Sequence, residues 1–453
     1  MAHVAIIVPG IMGSQLELNN EVIWPGSVWS LIGSYKMMDE LLDPAAVATD
    51  LIRSFSISEQ YQQLIDDLGK CGFREKDQPP TLYLCPYDWR KDNALAAGAL
   101  ADVIDKAQAA HEAGCEISLI GHSMGGLVSR YYLESGDYNS RPGFNCVRRL
   151  LTLGTPHRGS PLALSAAMGL EKRLFLSAEQ VHQLVSDQRY PALYQLMPPP
   201  GEPFAWNGAK ASEYGQIDVY DQNVAEALKL ELKNLQAAKN FHARLDVNKR
   251  PQAQGKPIRY FFFVGTRQTT VSSVTLLPVG PAQYRFRRTE LEDAGDGTVP
   301  TWSGSITGVQ GQPVGGEHST IYRNDILRRT MGILLGKEGV LAAEPERVEV
   351  ALRERVVNPG DTVHVTLTFG SGVDKLNGRL DVQRALLDDK GQVTGFANPV
   401  SSHPISYAGL NAEKLSLIFT APAVPGLYRV AYYPTGHNDP AGSDELFVQE
   451  PAV

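Results

Sequence analysis

The stretch ISLIGHSMGGLVSRYYLE, residues 117–134, constrains the fold of this chain more than any other. An apolar run ends at Ile120, and a helical pattern begins at once, with Met124, Leu127, Val128 and Tyr131 spaced to form one buried face. Between the two, Gly121 and Gly125 stand symmetrically about Ser123. A tight turn needs one glycine, not a pair flanking a serine. The pair implies that a side chain at either place would strike the strand or the helix. The serine itself then stands on strained backbone at the strand end, the arrangement of a G-x-S-x-G nucleophile elbow.

The rest of the N-terminal part suits that junction. The runs VAIIV (4–8), TLYLC (81–85), EISLI (116–120) and RRLLTLG (148–154) are β-branched and unrelieved by polar alternation, as strands covered on both faces are. IRYFFFVG (258–265) is a later strand of the same kind. QYQQLIDDLGKCG (60–72) and LAAGALADVIDKAQAAHEAG (95–114) have helical spacing, each closed by glycine. The alternation predicts a doubly wound α/β domain over residues 1–344. Residues 158–255 interrupt it with helical patterns, including a long one over 224–245, and predict a helical cap. After Glu344-Pro345 the character changes to alternating runs such as DTVHVTLTF and GLYRVAYYP, divided by Asn358-Pro359-Gly360 and Pro425-Gly426. Residues 345–453 therefore read as a separate all-β sandwich, Ig-like in its pattern of short strands.

A chain of 453 residues requires such a division into two or three core-forming units. Its net charge of −8, without a basic stripe, does not favour nucleic acid. The four cysteines, Cys71, Cys85, Cys115 and Cys146, form no CxxC pair and read as small buried hydrophobes; no metal site and no cofactor are expected. The N-terminal MAHVAIIVPG has no basic residue before a short apolar run that stops at Pro9-Gly10. It reads as a first strand rather than a secretory signal, and the expectation is a cytoplasmic protein, with export by a signal-independent route left open. The sequence is silent on oligomeric state.

A serine becomes a nucleophile only with a histidine base, and that histidine needs a carboxylate to hold its tautomer. On this type of sheet the chain order is serine, acid, histidine. DAGDGTVP (293–300) offers Asp296 between two glycines, with Asp293 as the competing acid, and GGEHSTI (315–321) offers His318. His122 sits inside the elbow and is expected to point away from the nucleophile. His157 precedes any suitable acid, and His364, His403 and His437 fall in the expected sandwich. The backbone N–H of Met124 follows the nucleophile and that of Ile11 follows the first strand in VPGIMGS (8–14), so these two are the candidate oxyanion donors.

Taken together, VPGIMGSQLE (8–17), PYDWR (86–90), GHSMGGLVSRYYLE (121–134), LGTPHRGSP (153–161), YPALYQLMP (190–198) and GDGTVP (295–300), with His318 after them, resemble the lecithin:cholesterol acyltransferase and lysosomal phospholipase A2 family of α/β-hydrolases. The resemblance spans about residues 1–330. It implies an α/β-hydrolase fold and acyl-ester chemistry on lipids. Ser123 would be nucleophile, Asp296 the orienting acid, His318 the base, and Ile11 and Met124 the oxyanion donors. Asp88 and Arg90 would form a structural ion pair beside the cleft. Secreted members pin an early tryptophan-bearing lid loop with a disulfide; Trp24 and Trp29 lie near the matching place here, and no cysteine flanks them. The C-terminal sandwich is no part of the pattern.

The expected function is hydrolysis or O-acyl transfer on a lipid ester through an acyl-enzyme. Trp24, Trp29, Leu162, Phe175 and Leu196 are candidate walls of the acyl pocket, with Leu164 and Leu176 beside them. SVWSLIGSYKMM (27–38) is a candidate contact with a membrane surface. Two other readings stay open: a lipid- or partner-binding protein on an inactive hydrolase fold, and an esterase or thioesterase for non-lipid substrates.

Overall fold

The first strand, Ala2–Val8, explains the layering of the molecule. Val4, Ile6 and Val8 belong to one hydrophobic cluster and Ala5 and Ile7 to another, so alternate side chains enter different cores above and below the sheet. In this computed structural model, which describes residues 1–26, 35–53, 61–111, 114–173, 175–209, 215–249, 252–253, 256–280, 283–337, 339–341, 348–388 and 393–449, the strand lies inside a six-stranded parallel sheet. The strand order is Gln310–Gly315, Arg259–Thr266, Val147–Leu153, Cys115–His122, Ala2–Val8, Leu82–Leu84. The last strand, Gln310–Gly315, carries Gly311, Pro313 and Gly315, and its polar composition hid it from a search for apolar runs. The helices Asn93–Ala110 and Met124–Glu134 contribute to the first core, and Gln62–Lys70 and Asp325–Leu334 to the second. The α/β reading is thus observed, with helices on both faces.

Three expectations need correction in detail. The Met124–Glu134 helix was expected to bury one face, yet all eleven of its residues are buried. Residues of the 158–255 insertion cover its outer side, where Tyr131 stacks on Phe241 with ring centroids 5.3 Å apart. Its polar residues survive there because Arg130 and Glu134 pair at 2.8 Å. The 224–245 pattern is two helices, Gln222–Ala227 and Leu232–His242. Lys229 turns to φ 57°, and the Glu231 carboxylate accepts from Lys233 N to start the second helix. Nor is the insertion wholly helical. Its strand Ala205–Asn207 pairs with Gln268–Gly280, which pairs in turn with Gln283–Gly295.

The C-terminal part is a β-rich unit with its own core, which includes Val350, Val365, Leu380, Val430, Tyr432 and Leu446. Two of its strands are not short. Thr362–Leu387 and Val393–Thr420 run 26 and 28 residues and pair antiparallel, with register shifts near Val373 and Gln383. Thr362–Leu387 then pairs with Val348–Leu352 over its first part and with Gly426–Pro434 over its second. Asn358-Pro359-Gly360 does divide Val356–Val357 from Thr362–Leu387, and Pro425-Gly426 does open the strand Gly426–Pro434. The unit docks on the α/β part through Phe175 against Phe447 (centroids 4.8 Å) and the ion pairs Arg353–Glu290 and Lys414–Asp293. Among the described residues, no helix is long and apolar enough to cross a membrane.

Candidate active site

Ser123 sits where Cys115–His122 ends and Met124–Glu134 begins, at φ 51° and ψ −125°. Such backbone strains any residue but glycine, and the surroundings hold it in place: Ser123 N donates to Leu153 O at 2.9 Å and Gly126 N to Ser123 O at 3.1 Å. Both flanking glycines are explained by contact. A Cβ on Gly121 would lie 2.7 Å from the Gly126 backbone, and one on Gly125 would lie 2.2 Å from Val8 O. The helix thereby approaches the end of the first strand closely enough to bring Gly10 against Ser123.

The loops that follow distant strands bring the partners. Ser123 Oγ and His318 Nε2 are 2.8 Å apart, and His318 Nδ1 and Asp296 Oδ2 are 2.8 Å apart. Asp296 is fully buried. Its other oxygen accepts from Val299 N at 2.7 Å and Thr298 N at 3.1 Å, so the charge is solvated by backbone rather than water. His318 N also donates to Asp296 O at 2.9 Å, which ties the two loops together. With Nδ1–H directed at a carboxylate, Nε2 is left as the acceptor facing Ser123. The competing acid, Asp293, is 61% exposed and pairs with Lys414 at 2.7 Å. Neither Ile11 N nor Met124 N has an acceptor among the described residues. The Met124 amide opens a helix, whose N-terminal dipole favours negative charge beside Ser123.

His122 does not idle. Its ring lies 5.4 Å from that of His318, and its Nε2 is 3.0 Å from His318 O. A carbonyl only accepts, so Nε2 carries the proton and Nδ1 must accept. The donor is the Tyr61 hydroxyl at 2.8 Å, and the same oxygen accepts from Gly10 N at 2.8 Å. One continuous relay therefore runs from the loop holding Ile11, through Tyr61 and His122, to the backbone of His318. Burial pushes His122 down to about 3, which keeps the ring neutral and the relay in one sense. Tyr61 carried no sequence signal; its partners lie 51 and 61 residues away.

The remaining candidates are distributed as follows. Arg90 and Asp88 pair through two bonds, at 2.7 and 2.8 Å, and the guanidinium also caps the 41–46 turn through Asp43 O at 3.0 Å. His157 is stacked on Phe262 and bonded to Thr152; burial holds it well below the usual histidine range. Trp24 is fully buried, bonds Met12 O through Nε1 at 3.0 Å and packs on Trp89 and Phe175. Phe175 and Leu196 are buried in the same core, as are Leu164 and Leu176, and Leu162 is buried nearby in the chain without joining that cluster. The small cavity beside Ile11, about 20 Å³, is instead lined by Trp89, Val181, Leu184, Tyr190 and Leu193, so those residues rather than the candidate walls face it. A larger cavity, about 920 Å³, lies among Arg130, His157, His242 and Trp302, and none of Ser123, Asp296 and His318 lines it. Trp29 and most of 27–38 lie outside the described residues. Among the described residues no cluster of side chains could hold a metal ion.

Comparison with known proteins bears on part of the chain. No curated protein matches. Among solved structures, RedJ with a polyethylene glycol molecule in its active site is 14% identical, with 74% of this chain and 89% of RedJ covered and a TM-score of 0.27. A chitin binding domain from Burkholderia pseudomallei is 10% identical over 21% of this chain and 56% of its own, with a TM-score of 0.17. The sporulation control protein Spo0M from Bacillus subtilis is 16% identical over 24% and 51%, also with a TM-score of 0.17. This chain thus spans about half the length of the last two, and scores so low carry no argument. Residues 40–249 match the lecithin:cholesterol acyltransferase family, a segment that holds Ser123 and Met124 but neither Asp296 nor His318. That match covers a little under half of the chain and supports membership of a lecithin:cholesterol acyltransferase-like family.

Proposed function

We propose that this protein is a serine acyl-ester hydrolase or O-acyltransferase of α/β-hydrolase type, acting on lipid esters through an acyl-enzyme. The observation that carries the reading is the line from Ser123 Oγ through His318 to the buried Asp296, both links at 2.8 Å, with the serine on left-handed backbone between strand and helix. Family membership supports lipid acyl-ester chemistry in general.

In this reading His318 Nε2 takes the Ser123 proton as Oγ attacks the ester carbonyl. The oxyanion that forms is met by the N–H groups of Met124 and Ile11, which have no other acceptor to release. Asp296 stabilises the imidazolium and keeps its tautomer. The imidazolium then protonates the departing alcohol, leaving the acyl group on Ser123. Water, or an alcohol acceptor, donates its proton to His318 and attacks the acyl carbonyl; the intermediate collapses as His318 returns the proton to Ser123 Oγ, and the fatty acid or new ester leaves.

The test is intact mass after treatment with a fluorophosphonate. One adduct on the wild type and none on Ser123→Ala supports an activated Ser123, and turnover of lipid esters of graded chain length then separates lipid from non-lipid substrates. Ser123→Ala with wild-type turnover would sink the assignment.

A further inference from the structure

The loop that carries His318 is held from the β-rich unit. Arg355, between the strands Val348–Leu352 and Val356–Val357, reaches out of that unit and straddles the histidine. Its Nη2 pairs with Glu317 at 3.1 Å and its Nη1 donates to Ser319 Oγ at 3.2 Å, so one guanidinium grips the residues on both sides of His318. The guanidinium is itself anchored inside its own unit. Its Nε donates to Asp444 at 3.1 Å, and Asp444 in turn accepts from Leu352 N at 2.9 Å. A second tie follows one residue on, where Thr320 Oγ1 donates to Glu349 Oε1 at 2.9 Å. Thus three consecutive neighbours of His318 on the chain, Glu317, Ser319 and Thr320, are bonded to side chains beyond residue 348.

This arrangement differs in kind from the other contacts between the two parts. Arg353–Glu290 and Lys414–Asp293 join long side chains that are about half exposed on at least one partner, and such pairs contribute little. Arg355 is 17% exposed and Asp444 5%. Burial also raises the carboxyls of Glu317 and Glu349 above the usual range, and Arg355 beside Glu317 opposes that rise and favours its charged form. A planar guanidinium that bonds two residues either side of a third fixes that third residue's backbone in position and direction. The His318 turn, a single 3₁₀ segment from His318 to Arg323, has few internal bonds to do this for itself.

We infer that Arg355 is a positioning residue for His318, and that the β-rich unit serves the reaction by holding the histidine loop against Ser123. The inference rests on the triad reading above, with His318 as base. Arg355 touches no reacting atom. It acts through Glu317 and Ser319, and a displacement of the imidazole by about an ångström is enough to cost on the order of 100-fold in rate.

The experiment measures the rate of Ser123 labelling by a fluorophosphonate, with kcat and KM on a soluble ester, in the full chain. Arg355→Ala is expected to slow labelling by roughly 10- to 100-fold and to lower kcat with KM held. Arg355→Lys, which keeps charge and one bond, recovers part of the loss. Arg353→Ala, at an exposed pair of the same interface, labels at the wild-type rate. Unchanged labelling in Arg355→Ala overturns the inference, and so does an equal loss in Arg353→Ala, which would mean that docking in general matters. Should Arg355→Ala misfold, Thr320→Val removes the second tie without a change of shape; it is expected to slow labelling several-fold, and wild-type labelling there counts against the inference. If the wild type itself takes no label, the triad reading fails, and that result is distinct from all the others.

Discussion

Replacing Tyr61 by phenylalanine removes one oxygen and breaks two hydrogen bonds that meet nowhere else. Tyr61 is 5% exposed, and its hydroxyl both accepts from Gly10 N and donates to His122 Nδ1. Phenylalanine fills the same space, so there is no cavity term. What remains is a buried amide without an acceptor and a buried imidazole nitrogen without a donor, each costing about 1–3 kcal/mol. The variant should lose roughly 2–4 kcal/mol in urea unfolding, within the range expected for two such groups. Activity should fall as well, because Gly10 precedes the Ile11 donor and His122 holds His318 O. With Nδ1 unpaired, His122 is no longer fixed in the tautomer that donates from Nε2. Fluorophosphonate labelling of Ser123 is expected to slow by about 10-fold or more, with the larger effect in kcat. A Tyr61→Phe protein with wild-type stability and labelling rate would refute the relay, since neither broken bond would then matter.

Asp296→Asn should fold and lose activity by about 10⁴-fold, because an amide NH₂ facing Nδ1 turns the His318 tautomer and leaves an N–H facing Ser123; measured as labelling rate, a loss under tenfold would contradict the role of the acid. Gly125→Ala places a methyl 2.2 Å from Val8 O and 2.5 Å from Pro9 O, backbone on both sides, and should cost at least about 3 kcal/mol by urea midpoint. Stability should also fall on acidification. Burial lowers His122 to about 3 and His242 to about 4, below their unfolded value near 6.5, so the unfolded chain binds the extra protons between those limits. The stability these groups contribute is present above pH 6.5 and is lost as pH falls, by up to about 2 kcal/mol for each histidine between pH 7 and 5. Glu317 and Glu349, raised by burial, act in the opposite sense and offset part of it. A thermal midpoint that rises from pH 6.5 to 5 would contradict this balance.

The parts legible in sequence were those written in local pattern. Buried parallel strands announce themselves as apolar runs, and the elbow by two glycines whose reason, close approach of backbone, is the same wherever it occurs. Asp296 and His318 were legible through order along the chain and the chemistry a serine requires. What stayed hidden depends on distant partners. Tyr61 and Arg355 look like ordinary polar residues until folding places them 2.8 Å from His122 and 3.1 Å from Glu317. The split of the 224–245 pattern hides for another reason. The break carries no glycine or proline, and one residue, Lys229, takes the left-handed conformation just after the first helix. In the β-rich unit, turn formers such as Gly378 and Pro404 sit within the long antiparallel pairing, where the register holds them in strand.

The place of Ala2–Val8 within the sheet also sets a timetable. It is flanked by Leu82–Leu84 on one side and Cys115–His122 on the other, so one edge stays unpaired until about 75 further residues have been made and the other until about a hundred. At translation rates of 5–20 residues per second the longer interval is roughly 5–20 seconds. For most of it, a strand of seven residues with Val4 to Val8 wholly apolar has no partner. The histidine that completes the line to Ser123 comes 195 residues after it, and the arginine that grips its loop later still. In a chain being made, the strand and helix that flank Ser123 are therefore complete well before the residues that meet its hydroxyl and hold their loop.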